Sequence, residues 1–328
     1  MNIERDKLFE IIQGKLPKNI SFIDEAADVL DISYDAMYRR LNGKTTLSFT
    51  EAIQLAKRFK ISINSLYSLD KDIFVLKRTN ENTLDGTTQF FEEASKSIQM
   101  FAQFKRTELM YAAKDVPVYY LQENNLFTTF KLYVFSQGYK EKELRIKFKD
   151  FNPPISLIKA AKDYQNSYKN IHITELWNDA TINSNLYQIY YFFESKLLDK
   201  EEALEVCSEL MKVIETIEKQ AVKEICDGSE NKEYKLYFNR FTTLNNSSLF
   251  KTEKIKILLI PYTHLSYIKI DDKKSCEESD LFFERQKQLS KKISGEGEID
   301  RNLFFNSMYE KIEQLKQQIE IKSNITFL

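Results

Sequence analysis

The sequence predicts an α+β protein. An all-helical N-terminal domain over residues 1–69 and a linker over 70–86 precede a mainly helical body with a small antiparallel sheet over 87–328. Three observations predict this. Apolar residues recur three and four apart through most of the chain, the period of a helix that buries one side. Between 108 and 121, and again between 232 and 270, the pattern changes to alternation or to short apolar blocks bounded by turn residues, as in strands. Only 7 Gly and 5 Pro interrupt 328 residues, too few for a turn-dense all-β architecture.

The first helix is expected over about 3–13, with Ile3, Leu8, Ile11 and Ile12 inward and Gly14 and Pro17 ending it. Ser21 is the N-cap of the second, with Asp24 in the place of a capping-box acid. Phe22, Ile23, Ala26, Ala27 and Leu30 form its inward side. Asp31-Ile32-Ser33 makes a three-residue turn, in which Ile32 plugs the core and Ser33 caps the third helix. Met37 and Leu41, four apart, bury one side of that helix and leave Tyr34, Asp35, Tyr38, Arg39 and Asn42 on the other. Gly43 supplies a left-handed end. Ser48 with Glu51 opens a fourth helix, with Phe49, Ala52, Ile53, Ala56 and Phe59 inward, and Ser62 caps a fifth through Leu66. Two helices joined by a tight turn, the second with an exposed polar side, are the parts needed to enter a major groove.

This stretch resembles the Cro/CI-type (XRE), lambda-repressor-like helix-turn-helix domain of bacterial and phage transcription regulators. The resemblance covers residues 3–69. It is carried by the small residue Ala27 before the turn, by Ile32, Ser33 and Met37, by Gly43-Lys44, and by LSFTEAIQLAKRFKISINSL, which matches the fourth and fifth helices. It implies a core of Ala27, Ile32, Met37 and Leu41 and double-stranded DNA as partner. On the exposed side Arg39 suits guanine O6 and N7, Asn42 adenine or phosphate, and Asp35 cytosine, while Tyr34 and Tyr38 can reach base edges or thymine methyls. Lys18, Ser33, Arg40 and Lys44 are placed for phosphates, which position a domain without reading sequence. Three residues depart from the family pattern: Asp31 where Gly is usual, Ile23 where a phosphate-touching Gln is common, and Arg40 where an aromatic core residue often sits. Residues 1–66 carry ten Lys or Arg and nine Asp or Glu, a net of +1, so one copy has a modest electrostatic footprint. A homodimer on two half-sites is therefore expected.

In the body, Phe91, Ala94, Ile98 and Phe101 mark a helix over 87–105. Strands are expected at 108–113 and 116–121, and 127–135 is ambiguous between helix and strand. Pro153-Pro154 breaks the chain before helices over 155–169, 181–197 and 200–225, which Asp227-Gly228 closes. Strands follow at 232–244, 255–260 and 265–270, with a turn at 245–248, then helices over 277–293 and 299–321. Residues 153 and 228 are candidate sub-boundaries. Met308, Ile312, Leu315 and Ile319 form a seam on the last helix that fits either a second copy or the chain's own sheet. The arrangement resembles the small-molecule-sensing α/β modules behind many bacterial helix-turn-helix domains. The whole chain resembles long XRE-type proteins through YRRLNG, Tyr38 to Gly43, and AAKDVPVYYL, Ala112 to Leu121. Regulation through dimerisation and a small-molecule or peptide effector is the implied role. Trp177, Tyr187 and Tyr191 are the residues chosen for an apolar effector pocket.

Catalytic patterns are sparse. His172 and His264 stand alone, with no HExxH or CxxC, and GxGxxG, the P-loop and GxSxG do not occur. Acidic pairs such as Glu201-Glu202 sit in helix first turns, where the macrodipole favours them. The expectation is no enzyme, no metal and no cofactor. Cys207, Cys226 and Cys276, odd in number and far apart, read as reduced thiols. No apolar run reaches membrane-spanning length and MNIERDKLFE lacks a leader's apolar core, so the expected location is the cytoplasm. Two other readings stay open: a protein-interaction adaptor that docks a partner on the helical domain, and a peptide-pheromone-type receptor regulator, against whose all-helical repeats the predicted strands speak.

Overall fold

Residues 3–16, 20–59, 61, 83–121, 125–137, 140, 144–241 and 244–324 are described by the computed structural model. They fall in two units, Met1–Phe74 and Val75–Leu328. The expected fifth helix at 62–66, most of the expected linker and Lys18 lie outside the described residues.

The first unit contains α1 (Ile3–Lys15), α2 (Phe22–Leu30), α3 (Tyr34–Leu41) and α4 (Phe49–Arg58). Serine side chains satisfy the orphan amides that open the last three. Ser21 Oγ accepts from Asp24 N at 3.4 Å and Ser33 Oγ from Ala36 N at 3.3 Å. At Ser48 a complete capping box forms, with Glu51 N to Ser48 Oγ at 3.2 Å and Ser48 N to Glu51 Oε2 at 2.8 Å. Leu8, Phe9, Ile12, Phe22, Ala26, Ala27, Leu30, Met37 and Leu55 close the core, with Ile32 and Leu41 packed on its rim. Phe49, expected inward, is 70% exposed. It and Thr50, the first residues of α4, both stand in solvent, and Leu55 fills the core from the middle of the helix.

Two left-handed residues shape the region around α3. Asp31 adopts φ 53° and ψ 49°, with its N–H bonded to the carbonyls of Ala27 and Asp28. Asp tolerates this better than most side chains, though at some strain relative to Gly. Gly43 has φ 73°, and a Cβ there would also stand 2.9 Å from Arg5 Nη1. Its conformation lets Lys44 N turn back to Arg39 O at 2.9 Å.

The second unit is built on a seven-stranded mixed sheet. In chain order its elements are α5 (Leu84–Ala102), β1 (Glu108–Ala112), a 3-10 turn (Val118–Tyr120), α6 (Leu126–Gln137), α7 (Ile155–Tyr168), β2 (His172–Trp177), α8 (Asn183–Glu194) and α9 (Lys200–Lys223). There follow β3 (Tyr234–Phe238), β4 (Ser248–Lys251), β5 (Lys256–Pro261), β6 (Tyr267–Ile270), α10 (Lys273–Gln288), β7 (Lys291–Lys292) and α11 (Glu298–Asn324). The strand order is β6-β5-β4-β1-β2-β3-β7.

The sheet is neither small nor purely antiparallel, as the sequence reading expected. β1, β2 and β3 run parallel, with Leu109 beside Ile173 and Ile173 beside Tyr234, while β4 to β7 pair antiparallel. Long helical connections between the central strands return the chain to the same end of the sheet, which parallel pairing requires. The expected strand at 116–121 is instead the 3-10 turn that starts after Pro117, whose ring denies the backbone a donor. Gly86, expected in the linker, lies in the first turn of α5, where its N–H bonds Thr83 Oγ1 at 3.0 Å.

Because β1, β2 and β3 are laid side by side in chain order, both crossovers cover one face. There Leu109, Tyr111, Ile173, Trp177, Tyr234 and Leu236 meet α5 to α9 and α11 in the main core. The opposite face carries Met110, Ala112, Leu176, Leu249, Leu258 and Ile270, covered by Cys276 and Phe283 of α10. α6 is buried almost all round, from Phe127 to Gln137, so its pattern has no helical period to read. Met308, Ile312, Leu315 and Ile319 of α11 are buried in the main core, where α11 packs on α9, so the seam is occupied within the chain. Among the described residues no helix is long and apolar enough to cross a membrane.

Candidate functional site

α3 is held by its inward side and presents the other. Met37 is fully buried, while Tyr34, Asp35, Tyr38, Arg39, Asn42 and Lys44 are all exposed. The Tyr34 and Tyr38 rings, one turn apart, stack with centroids 6.5 Å apart and planes 10° from parallel. Both rings are exposed on the side of α3 that also carries Arg39. Asn42 ends the helix and turns its Nδ2 back to Tyr38 O at 3.0 Å, which leaves its carbonyl oxygen as the atom to offer outward. Ser33 Oγ is engaged in capping.

Arg40, expected at phosphate, has another task. Its Nη2 bonds Glu51 Oε1 at 2.7 Å and its Nη1 bonds Ala36 O at 3.1 Å, with only 17% of either charged side chain exposed. Arg40 thus ties α3 to α4. Glu51 serves two masters, its other oxygen capping α4 through Ser48 N. The Arg40 hydrogen bond holds the Glu51 carboxyl below the ordinary carboxylate value, against a smaller opposing effect of burial. A depressed folded value contributes stability that is present above the unfolded value of about 4.5 and lost as pH falls through the folded one. Glu51→Gln should therefore cost α3 and α4 about 1 kcal/mol at neutral pH. It should also remove their acid sensitivity, read as amide-exchange protection over residues 34–58 from pH 6 down to about 3. Equal protection in both proteins across that range would reject the tie.

In the second unit, the three residues expected to line an effector pocket do not meet in one. Trp177 is completely buried on β2, whereas Tyr187 and Tyr191, one turn apart on α8, are 71% and 50% exposed. α8 turns Asn185, Ile189 and Phe192 inward, so Tyr187 and Tyr191 fall on its outer side. The Tyr191 hydroxyl accepts from Arg145 Nη1 at 2.7 Å.

What Trp177 touches is Glu175, which the sequence reading passed over. This carboxyl lies on the middle parallel strand with no solvent exposure. Tyr119 and Tyr120 hydroxyls donate to its Oε1 at 2.6 and 2.7 Å. The Tyr234 hydroxyl and Trp177 Nε1 donate to its Oε2 at 2.9 and 2.7 Å. Each oxygen so receives two donors, and the 3-10 turn is pinned to β2 and β3. Burial pushes the Glu175 carboxyl above the ordinary range, and the four donors pull it back part of the way. Burial likewise drives the tyrosine hydroxyls of Tyr119, Tyr120 and Tyr234 well up, keeping them protonated as donors. The signal for this site was a single acid inside the strand-length apolar block HITELW.

Lys131 of α6 is also buried, bonded to the neutral carbonyls of Asn185 at 3.1 Å and Gln188 at 2.8 Å, and burial lowers its pKa. The three cysteines are free and buried, and burial pushes the thiols of Cys207 and Cys226 up to about 12, far from a thiolate nucleophile. His172 accepts Glu233 N at its Nδ1, 3.1 Å away, in a structural role. Among the described residues no group of three or more His, Cys, Asp or Glu is placed to hold a metal ion.

No protein-family model, curated protein or solved structure matches the chain.

Proposed function

We propose that the chain is a sequence-specific DNA-binding transcriptional regulator that reads a major groove with α3. The observation that carries this reading is the exposed side of α3, Tyr34, Asp35, Tyr38 and Arg39, on a short helix clamped from behind by Met37 and braced by the Arg40 to Glu51 bridge. Eight helical residues, with Asp35 exposed in the first turn and Arg39 in the last, match what a groove admits, and a three-residue turn from α2 fixes the approach. Arg39 and Asp35 are the main base readers, Tyr34 and Tyr38 the apolar contacts, and Lys44 with Asn42 the phosphate and edge contacts. Arg40 is assigned to the frame of the domain. The sheet-containing unit is proposed to pair two copies and to carry the effector response, the dimer being needed because one domain's net charge of +1 over residues 1–66 binds DNA weakly.

The test is selection of bound duplexes from a random library with the full chain at two salt concentrations. A two-fold symmetric motif whose affinity falls steeply with salt is expected; a bound fraction without enrichment at either salt sinks the reading. Against the selected operator, Arg39→Ala should lose ~1–3 kcal/mol of specific affinity and relax preference at one base pair of each half-site. Unchanged affinity would remove Arg39 from the reading set.

A further inference from the structure

We infer that the cleft at the carboxyl ends of β2 and β3 binds a small zwitterion with an apolar side chain, of amino-acid to dipeptide size. Its role as the effector rests on the regulator reading above; the binding itself does not.

The cleft measures about 440 Å³ and draws its lining from five parts of the chain. Asp179 follows β2, Asn239 and Arg240 follow β3, Leu289 ends α10, Lys291 is on β7, and Asp300, Leu303 and Phe304 come from the start of α11. Ligands of sheets with parallel strands gather outside the carboxyl ends of those strands, where the connecting segments diverge. A second cavity, beside Tyr119 and Tyr168, measures about 30 Å³ and has room for a water.

Chemistry selects the ligand class. The floor is apolar: Phe238 and Phe304 rings lie 4.8 Å apart, and Leu303 on the wall is largely exposed. Above it are two cations and two carboxylates, paired as Arg240 Nε to Asp179 Oδ2 at 3.1 Å and Lys291 Nζ to Asp300 Oδ2 at 2.6 Å. A phosphate or simple carboxylate would set its charge against Asp179 and Asp300, and a simple amine would face Arg240 and Lys291. A molecule with both charges satisfies both sets, its carboxylate on the cations and its ammonium on the carboxylates. Exposed ion pairs contribute little net stability, so exchanging them for the ligand's charges costs the fold little. The apolar side chain then covers Leu289 and Leu303, which are largely exposed in the free cleft.

The cleft also has a built-in reporter. Trp177, the only tryptophan in the chain, lies 6.3 Å from Phe304, ring centre to ring centre. The full chain would be titrated with L-phenylalanine and L-leucyl-L-phenylalanine by calorimetry and by Trp177 emission, with 3-phenylpropionate and phenethylamine as single-charge controls. Arg240→Gln and Asp300→Asn, both at exposed or half-exposed side chains, would be titrated in parallel. Saturable binding of a zwitterion is expected, weakened at least about tenfold in each control and each variant. Equal binding of a single-charge control, unchanged binding by Arg240→Gln, or no heat and no emission change with either zwitterion at millimolar concentration would overturn the proposal. Duplex selection on the same protein reads DNA binding separately, so either idea can fail while the other stands.

Discussion

Glu175→Ala is expected to unfold the sheet-containing unit. The substitution strands three tyrosine hydroxyls and one indole N–H, all buried, without the acceptor they share. Each buried donor left unmade costs ~1–3 kcal/mol, and four together approach the ~5–15 kcal/mol by which a whole domain is stable. The loss also frees the 3-10 turn at Val118–Tyr120 from β2 and β3, so damage spreads from the strand to the layer above it. Glu175→Gln should fall between parent and alanine: the volume is kept, but one side of the cage then points two donors at an amide NH2. Thermal unfolding followed by near-ultraviolet dichroism of Trp177 reads both. A shift below ~4 °C for alanine, on the order of 1 kcal/mol in a unit of this size, would show that the cage holds little. The carboxyl adds a pH signature. Its folded value is raised, so its contribution is complete below about 4.5 and is lost as pH rises through the folded value. Glu175→Gln should remove that slope.

The second large effect is expected at Met37. Its side chain is fully buried where α3 meets α2, α1 and α4 in one small core. Truncation to alanine costs ~2–5 kcal/mol, transfer and cavity together. A core built by fewer than about 70–80 residues rarely supplies more than ~3–5 kcal/mol in total. Met37→Ala should therefore abolish amide protection over residues 22–58 and, with it, operator binding, although no exposed residue of α3 is touched. Arg39→Ala should weaken binding while leaving that protection intact. The two variants separate a lost frame from a lost contact. Protection retained in Met37→Ala would mean that Leu55 and Phe22 can close over the gap, and the frame argument would fail.

How much of this was legible depends on whether the cause is local. Ser21, Ser33, Ser48, Asp31 and Gly43 act within three or four residues, and the ends they set are found where spacing alone predicts. Phe49 was misplaced because helical period fixes an angle around the axis but not whether the core extends that far along it. In the second unit the helices other than α6 are legible to within about five residues, as are β1, β5 and β6, whereas the strand expected over 232–244 ends at Phe238. β2 was missed because a strand buried on both faces carries no alternation, and HITELW between two helices looks like a connection. Without β2 the parallel pairs vanish, and the remaining strands predict an antiparallel sheet. Glu175 is equally hidden: three of its four donors come from residues 119, 120 and 234, and only Trp177 is near it in sequence. Trp177, expected in an effector pocket, is instead buried in the core and hydrogen-bonded to Glu175.

The central place of β1 bears on how the chain is made. Glu108 lies beside His172 on one side and beside Lys251 on the other, so the strand is not closed in until about 140 further residues have left the ribosome. At 5–20 residues per second that is on the order of ten seconds or more in which the edge of β1 that faces β4 stays unpaired, even after β2 has joined the other edge. The helices of the first unit, made of near neighbours, can form in a small fraction of that time. During synthesis the chain therefore carries a helical head able to fold and an apolar strand awaiting its partners, and growth under heat stress or with slowed translation should show in aggregation of the second unit.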